Sequence, residues 1–282
     1  MPPVCDGPDP SPRQPNFPIP ESACDCHAHI FGPHARFPLS GQRTYTPPEA
    51  TVELYRQLLS TLGLSRAVIV QPSVYGSDNR CTAEAVRRSD GRWRGVACID
   101  LTSSDEDLAA LHHAGLRAAR VNGAAFDHLD ALAERIGPLG WHVELASAAR
   151  SLAPMAKRLA AIGIPLAIDH MGQIPVQAGV GDPDFQLLIS LLREGSCWIK
   201  LSGGYRLSSD AEHVRPFFDA LVQAGPDHLV WGTNWPHPWQ YRERPWPMPN
   251  DGALLDLLGA WAPDPELRRR ILVDNPARLY GF

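Results

Sequence analysis

The sequence predicts a single (β/α)8 barrel, and three observations carry that prediction. Eight short apolar runs recur along the chain, segments of helical periodicity separate them, and polar residues gather where six of the eight runs end. The runs are residues 23–30, 66–72, 94–100, 118–122, 142–146, 165–170, 197–202 and 229–235. A doubly wound open sheet is the alternative architecture. Its dinucleotide-binding form has no support, because no Gly-x-Gly-x-x-Gly follows a strand.

Helical periodicity covers residues 48–62, 78–88, 105–114, 131–139, 152–162, 183–192, 211–224 and the stretch from 251 onward. Ser104 before Asp105, Glu106 and Asp107 is a start signal, as is Asp182-Pro183, while Gly63, Gly115 and Gly163 are stop signals. Residues 1–22 are proline-rich, carry Asp6 and Asp9, and lack the apolar segment of a signal peptide. They are expected to form an extended or disordered arm ahead of a barrel over residues 23–282.

Composition narrows the class. With 282 residues, 44% of them hydrophobic and 20% charged, the chain can bury a large core. A net charge of −5 gives no reason to expect a nucleic-acid surface. No apolar run reaches the roughly 18 to 20 residues of a membrane span. Cys5, Cys24, Cys26, Cys81, Cys98 and Cys197 are too sparse for a disulfide scaffold, so a reducing cytoplasm is the expected setting.

In such a barrel, chemistry collects at the C-terminal ends of the strands. The first run ends in His27-Ala28-His29, and residues two apart on a strand share a face. By the same alternation, Cys24 and Cys26 should pack on the face opposite Asp25, His27 and His29. The second run ends in Gln71-Pro72-Ser73-Val74-Tyr75-Gly76-Ser77-Asp78-Asn79, and the fourth in Arg120-Val121-Asn122-Gly123. The sixth ends in Asp169-His170-Met171-Gly172, the seventh in Lys200-Leu201-Ser202-Gly203-Gly204-Tyr205-Arg206, and the eighth in Gly232-Thr233-Asn234-Trp235-Pro236-His237.

Taken in this order, these segments resemble the amidohydrolase superfamily, and within it the branch of 2-pyrone-4,6-dicarboxylate hydrolase and D-galactarolactone isomerase. The resemblance spans roughly residues 23–282. It implies a barrel acting on the carbonyl of a small anionic lactone. Metal-dependent members add a lysine or other ligand after strand four, a histidine after strand five and an aspartate after strand eight. Here those places hold Asn122-Gly123, a strand with His142 at its start, and Asn234, so no metal and no other cofactor is expected.

His27, His29 and His170 are the expected proton carriers or carbonyl polarisers. Asn234 stands where the hydrolase pattern has a general-base aspartate, and an amide cannot take a proton from water near neutral pH. That substitution favours isomerisation of the lactone of a sugar diacid, in which a substrate hydroxyl replaces water. Hydrolysis is the alternative, a metal-dependent hydrolase a third, and a catalytically silent anion-binding barrel a minor fourth. Arg120 and Arg206 are the expected carboxylate clamps, with Arg117 competing for the place of Arg120. Ser73, Tyr45 and His237 complete the expected substrate wall. Asp169, next to His170 on a strand, is expected to point away from it, and Lys200 is a weaker anion ligand than Arg206. The sequence leaves the oligomeric state open.

Overall fold

The computed structural model describes residues 2–122, 126–195, 197–238 and 247–282. Its eight strands are β1 (Cys24–Ala28), β2 (Arg66–Val70), β3 (Trp93–Ala97), β4 (Leu116–Asn122), β5 (His142–Ala146), β6 (Leu166–Ile168), β7 (Cys197–Leu201) and β8 (Leu229–Trp231). They are parallel and ordered β1 to β8 without crossover. The sheet closes where Ala28 bridges to Trp235, with His29 N donating to Trp235 O (2.8 Å) and Asn234 N to His27 O (2.7 Å).

The helices of the outer ring are α1 (Val52–Leu62), α2 (Arg80–Arg87), α3 (Asp105–His113), α4 (Leu129–Ile136), α5 (Ala156–Ala161), α6 (Pro183–Arg193), α7 (Arg215–Ala224) and α8 (Asp251–Trp261). Local signals start and stop them as the sequence leads one to expect. Ser104 and Asp107 form a reciprocal capping box on α3, Asp182 caps α6, and Gly63 ends α1 in the left-handed region. Beyond α8, α9 (Pro265–Arg269) and α10 (Asn275–Tyr280) return the chain to the barrel.

Tyr280 plugs the end of the lumen where the strands begin. It packs with Cys24, Cys26, Val68, Val70, Val96, Ala118, Ala167, Trp198 and Val230, a layer drawn from seven strands. The larger apolar cluster lies outside the sheet, between strands and helices.

The expected face of β1 needs correction. Asp25 pairs with Ala67 but Ala28 pairs with Ile69, so β1 carries one extra residue over this step. That bulge resets the alternation. Cys24 and Cys26 lie opposite Asp25 as expected and face the lumen, their sulfurs 3.7 Å apart, but the bulge brings His27 and His29 to their side. Asp25 points outward, where its carboxylate accepts from Tyr55 Oη of α1 (2.9 Å), Thr233 Oγ1 (2.6 Å) and the amides of His27 and Thr233 (3.0 Å each). His27 and His29 turn in above the cysteines.

The N-terminal arm is extended and packed. Arg13 pairs with Asp256 of α8 at 2.7 Å, and Asn16 Nδ2 donates to the same carboxylate at 2.8 Å. Gly252 makes room for it, since a Cβ there would lie 2.0 Å from Arg13 O. Among the described residues, no helix is long and apolar enough to cross a membrane.

Candidate active site

A cavity of about 340 Å³ opens at the C-terminal ends of the strands, lined by His29, Tyr45, Ser73, Arg120, Ser147, His170, Gln173, Arg206, Asn234 and Pro238, with two alanines of β5 and its loop. Seven of the eight expected pocket or catalytic residues other than Arg117 and His237 are thus brought together; the eighth, His27, lies beneath. Its ring stands 5.0 Å from that of His29, edge-on, and 4.7 Å from that of His170.

The two pocket-facing imidazoles are held by their Nδ1 atoms. His29 Nδ1 lies 2.8 Å from Val70 O, and a carbonyl only accepts, so the proton sits on Nδ1 and Nε2 carries the lone pair. His170 Nδ1 lies 2.8 Å from Ser202 Oγ, which can donate to it. Burial holds both rings well below the ordinary imidazole range; the charges of His27 and Arg120 add to this at His29, and those of Arg206 and His27 at His170. Both are neutral at pH 7. Gly232 lets β8 approach this floor, because a Cβ there would come within 2.7 Å of His27 N and Cβ.

Beneath the imidazoles lies a layer of buried charge. Asp169 Oδ2 pairs with Arg120 Nη2 at 3.1 Å, and its Oδ1 lies 3.4 Å from His27 Nδ1 and 3.6 Å from Lys200 Nζ. Lys200 Nζ in turn pairs with Glu144 Oε2 at 2.6 Å, and Tyr280 Oη donates to Glu144 Oε1 at 2.8 Å. Arg120 with Asp169, and Glu144 with Lys200, pair across one intervening strand, and His27 reaches Asp169 from β1, so these side chains meet inside the lumen. Burial alone would raise both carboxylates. At Asp169 the His27 imidazole and the Lys200 and Arg120 charges outweigh it and hold the group well below its usual range; at Glu144, Lys200 and His142 bring it to about 2.

Asp169 thus does not point away from the site as alternation predicts. β6 ends at Ile168, and His170, Met171 and Gly172 follow with φ of 55°, 52° and 69°, a left-handed turn that brings Asp169 and His170 to the same place. Lys200 is a lumen residue and not a pocket ligand. Glu144, Ser202, Tyr205, Gln173 and Ser147 were not singled out from sequence. Ser202 and Tyr205 lie in the polar segment that ends the seventh run, and Glu144 is a charged residue inside an otherwise apolar strand, whereas Ser147 and Gln173 carry no such mark.

Two expected wall residues lie elsewhere. Arg117 sits near the start of β4, where Nη1 donates to His112 O (2.8 Å) and Leu116 O (2.7 Å), at the far end of the barrel from the pocket. His237 is wholly buried behind Asn234, between Tyr205 Oη at Nδ1 (2.9 Å) and Asp251 Oδ1 at Nε2 (3.1 Å). Tyr45 and Ser73 share a hydrogen bond on the wall, and burial pushes the Tyr45 phenol up to about 12.

Among the described residues, one cluster has metal-ligand spacing: His27, Asp169 and His170, with ligating atoms within 4.8 Å of one another. It suits a divalent ion poorly. Its sole carboxylate is already shared between Arg120 and Lys200, and Glu144 is committed to Lys200, so a dication would face two cations at close range. Asn234 supplies no further charge, His142 packs on Tyr280 at the other end of the barrel, and Gly123 lies outside the described residues.

A second cavity of about 500 Å³ lies between α7 and α8, lined largely by apolar side chains such as Phe218, Leu254 and Trp261. The cation in its lining, Arg13, is already paired with Asp256.

Residues 24–282 match the model of the amidohydrolase family Amidohydro_2, and the chain belongs to that family; it is an enzyme of the amidohydrolase superfamily. It is 39% identical over 290 residues to 4-sulfomuconolactone hydrolase of Hydrogenophaga intermedia, covering 99% of this chain and 95% of that one. It is 31% identical over 276 residues to D-galactarolactone isomerase of Agrobacterium fabrum, covering 94% and 93%. Among solved structures it resembles a probable 2-pyrone-4,6-dicarboxylic acid hydrolase of Acinetobacter baumannii with citric acid bound, at a TM-score of 0.82 and 27% identity, covering 93% of this chain and all of that one.

Proposed function

We propose that the chain hydrolyses the ring ester of a small lactone bearing carboxylate or comparable anionic groups. The observation that carries this reading is His29, whose Nδ1 is tied to Val70 O so that Nε2 offers a lone pair to the cavity. Asn234 cannot serve as the base, but a neutral imidazole can. In this scheme Arg120 and Arg206 hold the substrate anions, with Tyr45 and Ser73 beside them. A carboxylate against Arg120 also cancels one of the charges that depress His29, and so raises its basicity when substrate is bound.

His29 Nε2 takes a proton from water as the water oxygen attacks the lactone carbonyl carbon. Ser202 donates to His170 Nδ1, which leaves Nε2–H of His170 to stabilise the oxyanion. Collapse breaks the ring C–O bond, and the His29 imidazolium returns its proton to the departing oxygen. The product is the open-chain hydroxy acid or its keto tautomer.

The likeness to a sulfomuconolactone hydrolase and to a probable pyrone-dicarboxylate hydrolase supports hydrolysis of an anionic lactone. The likeness to a galactarolactone isomerase, together with Asn234, supports the second reading, in which a substrate hydroxyl attacks in place of water. Both use the same imidazoles and arginines. Turnover of candidate anionic lactones in heavy-oxygen water separates them: one label per ring-opened acid is expected, and an unlabelled isomeric lactone would overturn hydrolysis. Dialysis against a chelator is expected to leave the rate unchanged.

A further inference from the structure

A single file of hydrogen bonds runs from the pocket into the wall behind it. Asn234 Nδ2 lies 2.8 Å from Tyr205 Oη, Tyr205 Oη 2.9 Å from His237 Nδ1, and His237 Nε2 3.1 Å from Asp251 Oδ1. Asn234, His237 and Asp251 are each at most 1% exposed. The four residues come from the loops after β7 and β8 and from the start of α8. Arg206 approaches Tyr205 electrostatically, but the three inter-residue bonds of the file are made by these four alone.

We propose that Tyr205, His237 and Asp251 are positioning residues that set the orientation of the Asn234 amide, so that its carbonyl oxygen and not its NH2 faces the substrate. The direction follows from the far end. A carboxylate only accepts, so His237 carries its proton on Nε2 and donates to Asp251. A neutral His237 then accepts at Nδ1, which requires the Tyr205 O–H to point at it. Burial pushes the Tyr205 phenol up, so that proton stays in place. The phenol oxygen is left as an acceptor, and of the two ends of the Asn234 amide only the NH2 can donate to it. Oδ1 is thereby turned to the cavity.

The backbone cannot do this job. Asn234 has φ of 65° and its N–H is fixed on His27 O, which locates the residue but leaves the amide free to rotate by half a turn. In the cavity Oδ1 accepts a hydrogen bond from the second O–H of the attacking water, whose other proton goes to His29 Nε2, and so aims the water lone pair at the carbonyl carbon. The inference rests on the proposed reading only in that Asn234 meets the nucleophile. It applies to water, because a substrate hydroxyl has a single proton and His29 takes it.

A test without substrate comes first. Nitrogen-15 NMR of histidine-labelled protein near pH 7, with His237 assigned by its loss in the His237→Gln variant, is expected to show a bare Nδ1 and a protonated Nε2. In Asn234→Asp the new carboxylate claims the Tyr205 O–H, and His237 should become protonated at both nitrogens. The opposite tautomer in the native protein, or no change in Asn234→Asp, overturns the proposal. The kinetic test is Tyr205→Phe, expected to lower kcat about 10-fold or more with KM within about threefold. The loss should vanish in the Asn234→Ala background, whereas additive losses, or a Tyr205→Phe rate within twofold of native, would overturn it. Absence of any lactone turnover would sink the functional reading while the NMR result still decides this one.

Discussion

Two arginines of β4 stand three residues apart and belong to opposite ends of the barrel. Arg120, near the end of the strand, borders the cavity and pairs with Asp169 at 3.1 Å. Arg117, near its start, closes on the carbonyls of His112 and Leu116. Both guanidiniums bond to carbonyl oxygens, Arg120 to Gln71 O at 3.1 Å, but the Arg120 side chain is only 9% exposed. The first is set among ionised groups and imidazoles that a substrate anion can perturb. The second only ties the end of α3 to its strand. Position along the strand, not residue type, separates an anion ligand from a brace.

The largest effect should come from taking away the carboxylate that makes the upper end what it is. Asp169→Asn leaves Arg120 and Lys200 facing each other without their shared counter-charge. Breaking a buried pair in this way costs about 3 to 5 kcal/mol. Chemical denaturation should show that loss, with turnover below about 1% of native. A stable, active variant would mean that the lumen charges are not coupled to the site.

Next in size is Arg120→Lys. An ammonium keeps the charge but loses the planar fork, so a rise of about 10-fold or more in KM is expected, with stability changed by less than about 1 kcal/mol. Citrate, a carboxylate probe, should raise the melting temperature of the native protein and do so less in this variant. Equal shifts in both would remove Arg120 from the anion site.

The barrel and most of its mouth were legible in the sequence. Apolar runs and helix punctuation marked eight strands and eight helices, and the ordered motifs marked His29, His170, Arg120, Arg206 and Asn234. What was not legible depended on geometry that no local pattern carries. The face of Asp25 hinges on one extra residue in β1 relative to β2, and a bulge is a property of the pair. The direction of Asp169 hinges on a left-handed turn through His170 and Met171, neither a glycine. The pairing of Glu144 with Lys200 spans 56 positions, although each is a charge inside an apolar run and so announces a buried partner.

Acid pH probes the upper end more gently. His29 is held well below 6.5 by burial and by the charges of His27 and Arg120. With His29 as base, kcat/KM should stay level as pH falls from 7 through 6.5 and decline only in more acidic solution. A decline centred near 6.5 would point to an exposed histidine instead. Stability follows the same groups. The unfolded chain takes up protons on its histidines below about 6.5 while buried His27, His29 and His170 stay neutral. Their contribution is therefore complete above that pH and is lost as pH falls toward their folded values. Asp25, raised from 3.8 to about 6 by burial against the pull of its four donors, acts in the opposite sense: its contribution is present below 3.8 and is lost as pH rises through 6.

The smallest effect belongs to the other arginine. Arg117→Met keeps the aliphatic stem that packs beside the strand and removes the two bonds to carbonyl oxygens. Those carbonyls lie in a half-buried setting that water reaches, so their loss costs about 1 kcal/mol, or roughly 2 °C in melting temperature for a chain of this length. Catalysis should be within twofold of native, because nothing at the start of β4 touches the cavity except through the strand itself. A loss of kcat or a rise in KM comparable to that of Arg120→Lys would mean that the strand transmits strain along its length. The two ends of β4 would then have to be treated as one unit.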